Sequence, residues 1–168
     1  MKHLSIIIAA ITALMLCSCG SKELQGKWQS ERIIDNDGQS SRIETLIWEI
    51  DGSKFIETRM VNIEGDQGSD HVAIIGESTV KGKYSFDGQT LKLTYDPESL
   101  ESNVDVISTL PGEDESKIRA TLLHSQKKYY EDSQETPVSH TNARIDGDTL
   151  FLTYQGHPGI RFLHQTSE

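Results

Sequence analysis

The sequence predicts an all-β fold with minor α content: an antiparallel, up-and-down β-barrel of about eight strands with one helix. Three observations carry this expectation. From Gly26 onward the apolar residues recur with a period of two, as in Arg42–Ile50 and Lys54–Val61, both dense in β-branched and aromatic side chains. The dipeptide Asp-Gly begins at Asp37, Asp51, Asp87 and Asp146, each time between runs of strand character. Asp-Gly tolerates the positive φ of tight hairpins, so these positions read as turns of a meander. Finally, nine residues from Asp87 to Tyr95 match Asp146–Tyr154 at seven positions. Each copy reads as strand, turn, strand, with Leu91, Leu93 and Tyr95 on one face in the first and Leu150, Leu152 and Tyr154 in the second. An old duplication and convergent hairpin chemistry explain the match equally well.

The elements follow in order. The first strand begins at Gly26, and the hairpin around Asp51-Gly52 joins the next two apolar runs. Short strands at Lys83–Phe86 and Asn142–Ile145 precede the two repeats. Asp96–Glu115 is acidic and contains proline, and is expected to be loop around a brief strand, Val104–Ile107. Glu113–Glu135 starts with Glu113-Asp114-Glu115, carries Ile118, Leu122 and Tyr129, and stops before Pro137, which predicts an amphipathic helix. Ile118–His124 also suits a strand; the helix is the expectation. Short sequential turns favour closure into a barrel, which removes exposed strand edges.

The first residues carry a different signal. Met1-Lys2-His3 is a positive start, and Leu4–Leu16 is an apolar run of thirteen residues. At about 1.5 Å per residue it reaches only ~20 Å, short of a ~30 Å hydrocarbon core, so it reads as the apolar region of an export signal. Leu16-Cys17-Ser18-Cys19 then resembles the lipobox of bacterial lipoproteins. The resemblance implies cleavage after Ser18 and lipid on the sulfur of Cys19; Leu16 is too large to precede a cleavage site, which disfavours Cys17. Residues 1–18 are thus a signal peptide, 19–25 a lipidated tether and 26–168 the folded domain. Gly20, not Asp, follows the acceptor, and the implied location is the bacterial cell envelope, at the periplasmic or surface face of the outer membrane. Two or three acyl chains would hold the protein there essentially permanently.

At the start of the domain stands Leu24-Gln25-Gly26-Lys27-Trp28, which resembles the Gly-x-Trp opening of lipocalins and of lipocalin-like lipoprotein domains. The resemblance implies a lipocalin-like barrel with Gly26 and Trp28 at its base and a basic residue of the last strand, Arg161, over the indole. A guanidinium so placed contributes ~0.5–2 kcal/mol.

Composition excludes several functions. Of 168 residues, 26 are Asp or Glu and 16 Lys or Arg, giving a formal charge of −10, and −11 once Lys2 is removed with the signal. Such a chain is a poor partner for nucleic acid or for anionic lipid through its net charge. Cys17 and Cys19 are the only cysteines, so the domain has no disulfide framework. His157 and His164 flank the last turn as a candidate metal pair, but no carboxylate or cysteine stands at ligand spacing, so neither metal nor cofactor is expected. No nucleophile, metalloprotease or phosphate-loop motif occurs, and an enzyme is not expected. The expected function is binding of a small hydrophobic or amphipathic ligand, lined by Phe55, Met60, Tyr84, Phe86 and Phe151. The alternative is an envelope interaction or inhibitor lipoprotein that uses its outer surface, with an exposed apolar patch around Trp48 or Tyr129-Tyr130.

Overall fold

The computed structural model describes residues 24–166 apart from 37, 39, 68, 69, 110, 111 and 155. The expected signal peptide, Cys19 and most of the expected tether lie outside the described residues, as does Asp37 of the first Asp-Gly pair. The described residues form ten strands and one helix: β1 (Gly26–Ser30), β2 (Ile33–Asn36), β3 (Ser40–Asp51), β4 (Lys54–Gln67), β5 (Asp70–Phe86), β6 (Leu91–Ser108), α1 (Gly112–Glu135), β7 (Val138–His140), β8 (Arg144–Asp146), β9 (Thr149–Tyr154) and β10 (His157–Gln165).

All ten strands belong to one antiparallel sheet in the order β7-β6-β5-β4-β3-β1-β10-β9-β8, with β2 alongside β3. The sheet curls into a half-barrel, consistent with a lipocalin-like all-β fold. First and last long-range neighbours meet as expected: β1 pairs with β10, Trp28 opposite His164. Where the curl brings β7 near β9, Thr153 N donates to Thr141 O (3.4 Å) and Ala143 N to Gln89 O (2.7 Å), bridging the seam.

The Asp-Gly turns do what their chemistry allows. Gly52 and Gly147 sit at the first central position of two-residue loops with φ of 60° and 57°. Gly88 takes the matching place in the first repeat at φ 94°, where the Asp87 carboxylate also accepts from Gln89 N and Thr90 N. The two repeats fold alike. Leu91, Leu93, Tyr95, Leu150, Leu152 and Tyr154 are all buried, on the inward face of the sheet.

The inward face of the lower, base half is filled by large rings. Phe162 stacks on Trp48 with centroids 4.2 Å apart, and Phe55 meets Tyr95 edge-on at 5.2 Å. Gly82 is required beside Phe55, because a Cβ there would come within 2.5 Å of its ring.

Midway up, the long strands are broken. The β5–β6 pairing jumps from Lys81↔Asp96 to Thr79↔Glu101, so β6 carries extra residues around Pro97. Proline is tolerated at such a bulge because no ladder donor is needed there. The loop expected over Asp96–Glu115 is therefore mostly strand: β6 runs on to Ser108. Its acidic residues hid the alternation, since Glu101, Asn103 and Asp105 point outward while Ser102, Val104 and Val106 point in.

Above the bulge the concave face is covered by α1, which lies against β6. Ile118, Leu122, Gln126, Tyr130 and Ser133 form its inward stripe, at the spacing of one helix face. Asp114 and Glu115 in the first turn suit the positive end of the helix dipole, and Pro137 follows the last turn. Ser102 Oγ donates to Gln126 Oε1 (2.9 Å), Ser108 Oγ to Glu115 Oε1 (2.9 Å), and Arg119 to the Val104 carbonyl, tying helix to strand. Among the described residues no helix is long and apolar enough to cross a membrane.

Candidate functional site

Where the packed base meets the helix-covered half, the interior changes character. Period two places Arg42, Glu44, Leu46 and Trp48 of β3 on the inward face, and likewise Phe55, Glu57, Arg59 and Val61 of β4. Two Arg/Glu pairs, each two residues apart, therefore face each other inside the fold.

Glu57 is fully buried and its two oxygens are shared among four donors. Oε2 accepts from Trp48 Nε1 (2.9 Å) and Tyr95 OH (2.8 Å); Oε1 accepts from Arg59 Nη2 (2.9 Å) and, more distantly, Tyr130 OH (3.5 Å). Glu44 accepts from Arg42 Nη2 (2.9 Å) and Tyr154 OH (3.1 Å). Arg59 Nε lies 3.3 Å from Glu44 Oε1 without the alignment of a hydrogen bond. Tyr95 and Tyr154 are the last residues of the two repeats, so each copy supplies one phenol to one buried carboxylate.

The electrostatics follow from that enclosure. Burial works against charge on Arg59, but the opposing charges of Glu57 and Glu44 and the neighbouring phenols hold its pKa well above the ordinary value. Burial pushes the Tyr95 and Tyr154 phenols up, and the adjacent carboxylates push further. Tyr130 is raised by burial as well, against the lowering influence of Arg59. All three stay protonated donors at neutral pH.

Above this layer, between α1 and the upper parts of β4, β5 and β6, lies a pocket of about 300 Å³. Val61, Ile63, Ile74, Val104 and Leu122 form its walls, while Arg42, Arg59 and Tyr129 form the floor. Tyr129 also lies under the Arg59 guanidinium, 5.8 Å from ring centroid to Cζ. Gly76 keeps room for Val61, as a Cβ there would stand 3.1 Å from the valine methyl. Ser78, Ser102 and Gln126 add neutral polar groups to the rim. Arg42 and Arg59 of the floor are each paired from behind with a buried carboxylate, Glu44 and Glu57, and Glu77 stands at the lining. Apolar walls with a few neutral hydrogen-bonding groups suit an uncharged amphipathic molecule.

The sequence-predicted residues fall elsewhere. Trp28 is buried, and its Nε1 donates to Leu24 O (2.9 Å). Gly26 has φ 104°, and a Cβ on it would come within 2.4 Å of His164 Nε2, so only glycine fits. Arg161 is not over the indole. It points outward and pairs with Glu31 (Nη2–Oε2 2.7 Å), because its neighbour Phe162 takes the inward side of β10. His164 covers Trp28 instead, edge-on with centroids 4.9 Å apart, and its Nε2 contacts Gln25 O at 3.2 Å.

Phe55 and Tyr84 are buried in the packed base, and Phe86 lies against it. Met60 faces outward and is exposed, and Phe151 is half-buried beneath Arg144 (4.5 Å). None of these five lines the pocket under α1. Trp48 and Tyr130, expected near an exposed apolar patch, are interior. The residues that sequence reasoning missed are Arg42, Glu44, Glu57 and Arg59. Their signal was parity: each stands an even number of residues from an inward Trp48 or Phe55. The chain matches no protein-family model and no curated protein.

Proposed function

We propose that this protein is a lipid-anchored envelope module that binds one small, uncharged amphipathic molecule in the pocket between α1 and the sheet. The observation that carries the reading is the pocket itself: about 300 Å³ with apolar walls, next to a base packed with buried rings. That volume is at the lower end of ligand sites, which suits a small molecule better than a long acyl chain. The anchor rests on the lipobox-like Leu16–Cys19. The role is carriage or sensing without a chemical step.

Native mass spectrometry of protein extracted from its own envelope tests this directly. The expected result is acylated protein with a single small-molecule adduct. Val104→Phe or Leu122→Phe, each filling the pocket, should abolish the adduct while circular dichroism and the acyl mass stay unchanged. An adduct that survives both substitutions, or none in the parent protein, would end the reading.

A second reading has its own observation. Ile34, Ile75 and Ile107 are exposed at 60%, 51% and 59% on the outer face of the upper sheet, with Met60 beside them. Cross-strand pairing runs Ile34↔Ile43, Ile43↔Asn62 and Asn62↔Ile75, so the band crosses four strands. Such an apolar surface supports an envelope interaction or inhibitor protein. Crosslinking in intact envelopes with Ile34→Glu and Ile75→Glu separates the two, since these changes should remove a protein partner and leave a pocket adduct intact.

A further inference from the structure

Net charge describes the whole molecule, but beyond a Debye length of about 8 Å a surface responds only to the charges nearest it. The end of the fold where the chain comes from the tether carries a cluster of exposed lysines. Lys54 of β4 and Lys83 of β5 are direct cross-strand partners, and Lys81, opposite Ile56, is the next outward residue. All three are exposed, and among the described residues no carboxylate stands within ion-pair distance of them. Like charges placed directly opposite on a sheet are destabilising. A chain with 26 acidic residues against 16 basic ones nevertheless sets three lysines together here.

Their surroundings are shaped as well as charged. An open groove of about 610 Å³ runs past Gly26, Ile56, Lys54 and Lys81, and another of about 440 Å³ past Lys54, Lys81 and Lys83. Asp51 stands directly opposite Lys54 and Asp96 opposite Lys81, neither within ion-pair distance, and Glu49 is occupied by Lys27 (3.0 Å). The far end is acidic, with Glu64, Glu77 and Glu101 exposed on β4, β5 and β6.

The tether fixes which end is near the membrane. Gln25 grips the β3–β4 hairpin twice, accepting from Gly52 N (2.7 Å) and donating to Gly52 O (3.1 Å). From Gln25 back to Cys19 is six residues, at most about 20 Å of chain.

We infer that the Lys54–Lys81–Lys83 facet seats this end of the protein on an anionic phospholipid surface, turning the acidic end away. The lipid sulfur delivers the facet to within reach of the headgroups, and the lysines then set the orientation. Each lysine at such a surface is worth roughly a fivefold gain in partitioning. The inference rests on the lipid-anchor reading for the direction of the tether, and the two are separable by experiment.

The test uses the full acylated protein, purified from its envelope and reconstituted in vesicles of phosphatidylcholine alone or mixed with phosphatidylglycerol. Amine acetylation is followed residue by residue by mass spectrometry. With phosphatidylglycerol present, Lys54, Lys81 and Lys83 should react roughly fivefold more slowly, whereas Lys117 and Lys128 on α1 should not change. The protection should disappear at about 1 M salt, where the Debye length is about 3 Å. Lys54→Glu combined with Lys83→Glu should abolish the lipid-dependent protection of Lys81, with circular dichroism reporting an intact fold. Equal reactivity in both vesicles overturns the inference. So does protection produced by inorganic phosphate with neutral vesicles, which would make the facet a site for free phosphate. Absence of acyl mass would sink the anchor alone, because vesicle sedimentation with and without phosphatidylglycerol would still read the facet.

Discussion

The lower and upper halves of the sheet share β4, β5 and β6, yet one is a packed core and the other holds a pocket. At the base, β1, β9 and β10 complete the curl, so inward side chains meet others across a short interior: Trp48 on Phe162, Phe55 on Tyr95. Above the bulge at Pro97 the same strands continue without those partners, and a single helix covers them. One helix stripe cannot fill the width of three long strands, and the unfilled part is the pocket. Strand periodicity decides which residues face inward. What those residues become depends on what lies opposite, and the boundary between the halves is where paired charges replace apolar contacts.

That boundary should dominate stability. Glu57 joins β3 through Trp48, β6 through Tyr95, α1 through Tyr130 and its own strand through Arg59. Glu57→Ala leaves a buried guanidinium and three buried donors without this acceptor, at a cost of about 3–5 kcal/mol. For a domain of this size that lowers Tm by roughly 6–20 °C. Glu57→Gln keeps an acceptor and should cost less, and Glu49→Ala, on the exposed face, should cost at most about 1 kcal/mol. Thermal unfolding of the three variants checks the order. A Glu57→Ala variant as stable as Glu49→Ala would mean the two halves are not clamped through this layer.

The seam offers a smaller, pH-dependent effect. His140 is packed against Tyr154 and Trp48, and its Nδ1 donates to Thr153 O (3.1 Å), leaving Nε2 buried without a partner. Burial lowers its pKa below the ordinary 6.5, since a proton on Nε2 would be an unpaired interior charge. Below pH 6.5 the unfolded chain therefore binds a proton that the folded chain refuses, and stability falls as pH drops through that value towards the folded pKa. Denaturant titrations between pH 7 and pH 5 should show the decline in the parent and a flatter profile in His140→Gln. An identical slope in both would place the acid sensitivity elsewhere.

The contrast also explains what could be read from the residues alone. The base was legible because its signals are local: Asp-Gly corners, the Leu-x-Leu-x-Tyr repeat and Gly26-x-Trp28 each specify a hairpin or a face without knowledge of distant partners. The helix was legible from its acidic start and Pro137. The upper half was not, for two physical reasons. Ile43, Ile47 and Met60 occupy the outward face, so apolar character there no longer marks the interior. Conversely, Arg42, Glu44, Glu57 and Arg59 are interior because they neutralise one another across two strands, a pairing visible only once β3 and β4 are in register. The phenols that complete the layer come from β6, β9 and α1, far away in sequence.

The smallest expected effect concerns the base, where resemblance and packing disagree about Trp28. A guanidinium over the indole would make Arg161 worth up to ~2 kcal/mol there. In the structure Arg161 is an exposed partner of Glu31, and exposed pairs contribute at most about 1 kcal/mol. Arg161→Ala should therefore shift Tm by only a few degrees and leave the tryptophan emission spectrum unchanged. His164→Ala should alter that spectrum, because it removes the ring against Trp28 and uncovers the indole face. It also removes the side chain that excludes any Cβ at Gly26, so Gly26→Ala should be better tolerated with His164→Ala than without it, limited then only by the positive φ. If instead Arg161→Ala shifts the emission and His164→Ala does not, the last strand is turned over relative to β1, and the inward face of the whole seam would have to be reassigned.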